Sequence, residues 1–351
     1  MTLTHPANYE GLSVPVAKPP APGEVVEVAP GILWVRLPLP FRLNHVNIYL
    51  IADGEGWAVI DAGIGDAISR AAWEALMAGP LAGQKLTRLF VTHFHPDHIG
   101  LAGWLVERFQ IPLLCSETTY LMSRNIVLDP SSLDAEFYRD FYLRHGMDPD
   151  TVALVVTQGH AYLGMVERLP LTFRRSVAGD RLRIGEREFD VIGGNGHAPE
   201  QLMLYCRAER ILLAADQVIA RITPNVSVSA VDPEGDPLGL YLRSLTELTE
   251  LVHPEALVLP GHELPFFGLQ TRCRQIAHHH AARCEMIAAA CASEARSVAE
   301  IVPVMFPRPL DPHQWSFAFS EAHAHVNYMV HRGDLARIVE TDSEKFVRRA
   351  R

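Results

Sequence analysis

Cysteine is scarce in this chain and none of it is arranged as a clamp. The 351 residues hold 5 cysteines (Cys115, Cys206, Cys273, Cys284 and Cys291), an odd number with no Cys-x-x-Cys among them. That argues against a disulfide-stapled scaffold and predicts free thiols in a reducing compartment. Missing too is any apolar run near the roughly 18 residues that a membrane span needs. The opening Met1-Thr2-Leu3-Thr4-His5-Pro6-Ala7-Asn8 has no basic stretch leading into an apolar core, so a cytoplasmic protein without signal peptide is expected. Positive charge is in deficit: 31 Lys and Arg face 41 Asp and Glu, a net charge of −10. Nucleic-acid binding needs a basic footprint, and this balance does not supply one. What is present, 48% hydrophobic and 21% charged, is globular composition in a chain long enough for two domains.

Histidine is not scarce. Thr92-His93-Phe94-His95-Pro96-Asp97-His98 follows the apolar run Leu89-Phe90-Val91. Imidazole nitrogen and carboxylate oxygen are the ligands that borderline-soft divalent metals prefer. On an extended backbone His93 and His95 point the same way and can grip one ion. A helix starting at this point lets Asp97 and His98 reach a second. Two metals need about three protein ligands each plus a bridge, and three more candidates stand at strand ends. His197 follows Gly193-Gly194-Asn195-Gly196, Asp216 ends Ile211-Leu212-Leu213-Ala214-Ala215, and His262 follows Leu257-Val258-Leu259-Pro260-Gly261.

The His-x-His-x-Asp-His pattern of His93, His95, Asp97 and His98 resembles the mark of the metallo-β-lactamase-fold hydrolases. The resemblance covers roughly the first three-quarters of the chain and implies an αββα sandwich, an α/β fold. It implies one metal on His93, His95 and His197 and another on Asp97, His98 and His262, with Asp216 bridging. Asp61, in Val59-Ile60-Asp61-Ala62-Gly63, would support the metal-binding loop from behind. The implied cofactor is two Zn2+, with iron or manganese as alternatives. A bridging Asp216 sets the chain apart from antibiotic-hydrolysing zinc β-lactamases, which lack that carboxylate. Glyoxalase II-like thioesterases, lactonases and tRNA-processing nucleases have it.

Punctuation divides the chain. Residues 1–23, with Pro15, Pro19, Pro20 and Pro22, read as an extended lead-in, and 24–270 as the catalytic domain. Strand-like runs recur at 32–36, 45–51, 57–60, 88–91, 112–115, 181–184, 189–192, 202–206 and 211–214, with helical stretches at 67–77, 99–109 and 238–251. Strands alternating with helices suit two mixed sheets covered on both outer sides. The segment 117–169 breaks the rhythm and reads as a two- or three-helix insertion, part core and part lid. Tyr120 and Phe141 from it, with Asn225, are the expected walls of a substrate pocket, while His145 and His160 read as structural.

Residues 271–351 read as a winged-helix-like module of three helices and a β-wing. A helix over 271–292 carries His278, His279 and His280, which diverge by about 100° each and so read as structural. Ser297 and Glu300 form a capping box that opens a short helix. A third helix covers 314–331, with His323 and His325 on opposite sides, and a strand follows at 335–339. Lys345, Arg348, Arg349 and Arg351 look like a solvated tail. This module holds 11 Lys and Arg against 9 Asp and Glu, leaving 20 against 32, or −12, for residues 1–270. A structural or dimerising module is therefore expected, with a small acyl compound as partner and neither nucleic acid nor membrane.

Water held between two divalent ions has its pKa depressed towards neutrality, so hydroxide is available to attack a carbonyl carbon. Asp97 can both hold metal and orient the nucleophile's proton. Thiolate and alkoxide leaving groups need little protonation. The expected activity is hydrolysis of an acyl ester, foremost a thioester, with lactonase, then ribonuclease or phosphodiesterase, as alternatives. A non-catalytic ligand sensor is the alternative from another class.

Overall fold

Two stacked sheets carry the first three-quarters of the chain. The computed structural model describes residues 10–131, 136–157, 159–340 and 343–349. The first sheet runs in sequence order: β1 (Val26–Ala29), β2 (Ile32–Pro38), β3 (His45–Asp53), β4 (Gly56–Ile60), β5 (Lys85–Phe90), β6 (Leu113–Cys115) and β7 (Arg174–Arg175). Helices α1 (Ala67–Ala78), α2 (Pro96–Ile99) and α3 (Ala102–Phe109) join its parallel strands. The second sheet contains β8 (Arg181–Ile184), β9 (Arg187–Gly194), β10 (Gln201–Cys206), β11 (Ile211–Ala215), β12 (Leu257–Pro260) and β13 (Phe266–Phe267), in reverse order across the sheet. Helix α8 (Pro237–Leu251) crosses between the parallel pair β11 and β12.

The layering follows from the two-residue period of a strand. On β2 and β3, Ile32, Trp34, Tyr49 and Ile51 face the other sheet and meet Phe189, Val191, Leu202 and Leu204. Their alternates Val35, Leu37, Ile48 and Leu50 face outward onto Trp73 and Leu76 of α1 and Leu105 of α3. Met203, Tyr205 and Leu212 leave the far side of the second sheet and pack on Tyr241, Leu245 and Leu248 of α8. The expected αββα sandwich is what forms.

The insertion contains four helices, one more than expected: α4 (Glu117–Leu128), α5 (Glu136–Arg144), α6 (Pro149–Val156) and α7 (Gly159–Met165). The extra break comes where Gly146 adopts φ +86° and the Asp148 side chain caps α6 by accepting from the Thr151 amide at 2.9 Å. The insertion reaches both faces of the sandwich: Tyr120 joins the outer core of the first sheet, whereas Phe141, Val152 and Val155 join that of the second.

The remainder folds as α9 (Leu269–Ala290), α10 (Val298–Met305), α11 (Pro312–His331) and the antiparallel hairpin β14 (Leu335–Val339) and β15 (Glu344–Arg348). Ser297 and Glu300 make the expected capping box, and Asp311 with Gln314 makes a second. The solvated tail is corrected in part: Lys345 and Arg348 lie on β15, pinned by fully buried Phe346 and by ion pairs from Glu344 to Arg144 and Arg337. Arg351, like the first nine residues, lies outside the described residues. No helix among the described residues is long and apolar enough to cross a membrane.

Candidate metal centre

The motif loop is moulded by one carboxylate. β4 ends at Ile60, and Asp61 turns the chain with φ +67° while its amide donates to the Phe90 carbonyl at 2.8 Å. Its Oδ1 accepts from the Thr92 amide at 2.8 Å, and its Oδ2 accepts from the Thr92 hydroxyl at 3.0 Å and His98 Nδ1 at 2.8 Å. With its proton on Asp61, the Thr92 hydroxyl can accept from His93 Nδ1, 3.0 Å away. Pro96 then opens α2, the residue type best suited to a first helical position, which brings Asp97 and His98 round to the same side.

The other ligands come from ends of the second sheet. His197 follows Gly196, whose φ is +95° and where an added Cβ would stand 2.4 Å from Tyr241 Cβ, so only glycine fits. Its Nδ1 donates to the Asn225 carbonyl at 2.8 Å. Asp216 follows β11 beside Gly261, where a Cβ would stand 2.2 Å from Asp216 Oδ1. His262 Nδ1 donates to the His45 carbonyl at 2.8 Å. Strand β3 of the opposite sheet fixes this loop: the Asn47 side chain donates to the Pro260 and Glu263 carbonyls at 2.9 and 3.1 Å, and the Tyr49 hydroxyl to Pro260 at 2.9 Å.

All seven expected ligands converge. His95 Nδ1 lies 3.0 Å from both His93 Nε2 and His197 Nε2. Asp97 Oδ2 lies 3.8 Å from His98 Nε2 and 3.3 Å from His262 Nε2. Asp216 stands between the two groups, Oδ1 3.5 Å from His98 Nε2, and Oδ2 3.5 Å from His197 Nε2 and 3.1 Å from His262 Nε2.

These residues fit divalent cations. The Nδ1 contacts of His93, His98, His197 and His262 leave four Nε2 lone pairs turned inward. His95 has at most one proton on Nδ1 for two facing nitrogens. Among the described residues, His98 Nε2 and Asp216 Oδ1 are buried without a hydrogen-bond partner. Three lone pairs aimed at one point suit an ion better than any arrangement of protons.

Electrostatics agree. Burial, then the neighbouring imidazoles, hold His93 well below its ordinary value and His95 down at about 3. Burial also opposes charge on His98 and His262, but Asp216 and Asp97 outweigh it, with Asp61 adding to the effect on His98; His98 is raised well above its usual value and His262 to about 10. Asp97 and Asp216 stay ionised despite burial because His98 and His262 face them. Asp97 and Asp216 thus favour positive charge at the heart of the centre, a preference that a bound cation would also meet.

Of the three expected pocket residues, Tyr120 and Phe141 sit elsewhere, whereas Asn225 lies against a residue of the centre. Tyr120 is 5% exposed, stacked 4.2 Å from Phe173, with its hydroxyl donating to the Pro170 carbonyl. Phe141 is 7% exposed and packs on Phe319 and His323 of α11. Both aromatics are core, because the insertion spends its apolar faces on the sandwich and α11. Asn225 holds His197 through its carbonyl, and its side chain donates to Ser227 Oγ at 2.6 Å. Sequence reasoning missed Thr92, Asn47 and Tyr49, and also Arg272, which donates to the Ile219, Arg221 and Ile222 carbonyls at 2.7, 2.8 and 2.8 Å and braces the loop after Asp216. A polar Asn47 inside an otherwise apolar strand was the available signal.

Comparison with known proteins agrees with this geometry. The family model described as Metallo-beta-lactamase superfamily matches residues 42–262, and one described as Metallo-beta-lactamase-like, C-terminal domain, matches residues 284–349. A crystal structure of a beta-lactamase domain protein from Burkholderia ambifaria is 38% identical, covering 97% of this chain and 99% of that one with a TM-score of 0.89. A metallo-beta-lactamase family protein from Thermus thermophilus is 27% identical, covering 92% and 100%, with a TM-score of 0.78. A probable metallo-hydrolase of Bacillus subtilis is 24% identical over 245 residues, 68% of this chain and 73% of the relative.

Proposed function

The chain belongs to the metallo-β-lactamase superfamily of metallo-hydrolases, and on that premise we propose that it is a binuclear zinc hydrolase acting on acyl thioesters in the cytoplasm. The observation that carries this reading is Asp216, with oxygens within 3.5 Å of His98, His197 and His262, ligands from both halves of the centre. A carboxylate so placed would be shared by two cations rather than one. His93, His95 and His197 would hold one ion, and Asp97, His98 and His262 the other. Such ions supply Lewis acidity towards a carbonyl and make hydroxide available near neutral pH.

The residues do the rest. Asp97 is the more exposed of the two central carboxylates, its side chain 20% accessible against 7% for Asp216. Its free oxygen is placed to accept and orient the attacking water's proton. Asp61, Asn225 and His45 fix the ring planes through the Nδ1 contacts, so the centre needs little reorganisation as charge develops. The β2–β3 hairpin, whose His45 carbonyl holds His262, carries Phe41 at its tip, 40% exposed and stacked 6.0 Å from His313 of α11. An exposed ring on the same hairpin would suit an apolar acyl group.

The net −12 of residues 1–270 disfavours polyanions, which supports a small ester over RNA. Parallel turnover of acyl-thioesters, lactones and a single-stranded RNA, each with and without chelator, tests the reading. Chelator-sensitive thioester hydrolysis is the expected result. Efficient RNA or lactone turnover with inert thioesters would overturn the substrate assignment while leaving the metal centre standing.

A further inference from the structure

A second group of metal-ligating side chains lies between two helices of the C-terminal region, apart from the sandwich centre. Glu321 and His325 stand four residues apart on α11 and so share one face of that helix. His280 of α9 meets them, its Nδ1 3.0 Å from His325 Nε2. Ligand atoms of the three residues all lie within 4.8 Å of one another. His325 Nδ1 donates to the Glu321 carbonyl at 2.7 Å, which leaves its Nε2 lone pair aimed at the group. That is the device that prepares His197, and the 3.0 Å nitrogen separation matches the one between His95 and His197. Tetrahedral ligands about 2.0–2.1 Å from zinc stand roughly 3.3 Å apart, so a small ring movement admits an ion.

A plain hydrogen bond between His280 and His325 leaves the rest unexplained. Among the described residues, the Glu321 carboxylate makes no hydrogen bond or ion pair. Arg283, whose charge acts on it, donates instead to the Met305 carbonyl at 2.8 Å and His279 Nε2 at 3.2 Å. The Glu321 side chain is only half-buried, so the group stays open to water on that side. His280 and His325 are 1% and 0% exposed.

We propose that His280, Glu321 and His325 form a third divalent-metal site, structural rather than catalytic, which cross-links α9 to α11. Two nitrogens and a carboxylate oxygen suit zinc and similar borderline ions, with a water completing the shell. The site depends on none of the sandwich ligands.

Metal counting on the full-length chain tests this. After zinc saturation and removal of free metal, wild type should hold one ion more than Glu321→Gln. A His93→Ala/His98→Ala/Asp216→Ala variant, stripped of the sandwich centre, should still take up one equivalent of Co2+ with visible ligand-field absorption. That absorption should disappear when His280→Gln is added. The proposal is overturned if wild type and Glu321→Gln bind equal zinc, or if the triple variant binds no cobalt. The cobalt titration decides the matter even where Glu321→Gln fails to fold.

Discussion

Asp61 Oδ2 lies 2.8 Å from His98 Nδ1, at the one point where the ends of β4 and β5 meet the metal motif. The same carboxylate takes both Thr92 donors, so one side chain fixes the loop's path, the plane of a ligand and the tautomer of that ligand. A partner behind a ligand commonly contributes 10–100-fold in metal affinity. Asp61→Ala should therefore weaken zinc binding by about that factor, read by competition with a chromogenic chelator. An unchanged dissociation constant would mean that His98 is oriented by packing alone.

Gly261 is the narrowest part of the centre. A methyl group there would stand 2.2 Å from Asp216 Oδ1 and 2.9 Å from His98 Cε1. Gly261→Ala should displace Asp216 and lower activity by more than about tenfold, equivalent to roughly 1.4 kcal/mol, with circular dichroism unchanged. Full activity in that variant would show that the loop after β12 shifts freely.

Asp216 and His279 make an opposed pair of tests. Asp216→Ala removes a carboxylate that faces three histidines and should lower zinc content at both halves of the sandwich centre, with near-complete loss of turnover. His279→Ala removes a ring that accepts from Arg283 and should leave zinc content unchanged. The reverse pattern, measured by elemental analysis, would contradict the ligand assignment.

The insertion meets α11 through two buried imidazoles, His145 and His323, with ring centroids 4.2 Å apart. Burial lowers His145 to about 4 and holds His323 well below its ordinary value, with Arg337 opposing charge on both. A histidine whose folded pKa is depressed binds fewer protons folded than unfolded. Stability is then greatest above about pH 6.5, the unfolded value, and falls as pH drops towards the folded one. The loss per group is at most about 1.4 kcal/mol per pH unit within that window. Urea midpoints of His323→Leu should fall less than those of wild type between pH 7 and 5. Parallel profiles would show that the pair does not stay neutral when folded.

Legibility in the sequence followed the distance over which each feature is decided. His93 to His98 could be read because the ligands are local, and Asp216 and His262 because each ends an apolar strand. Asp61 was legible for the same reason. Tyr120 and Phe141 were not: helical spacing shows that aromatics share a face but not what covers it. Phe141's cover is Phe319 and His323, far along the chain. Strand β15 was hidden because Lys345 and Arg348 dominate its composition, although Phe346 anchors it and its buried Glu344 finds Arg144 and Arg337. The likeness of His280 to a ligand was masked by two neighbours that point elsewhere, since its partners Glu321 and His325 belong to another helix.

Crystallography of zinc-supplemented protein at the zinc absorption edge is the decisive check on a two-metal centre organised by Asp216. Two anomalous peaks are expected in the sandwich roughly 3.5–4 Å apart, one among His93, His95 and His197, the other among Asp97, His98 and His262, with Asp216 touching both. A single peak there, or an Asp216 carboxylate turned away from either ion, would contradict it.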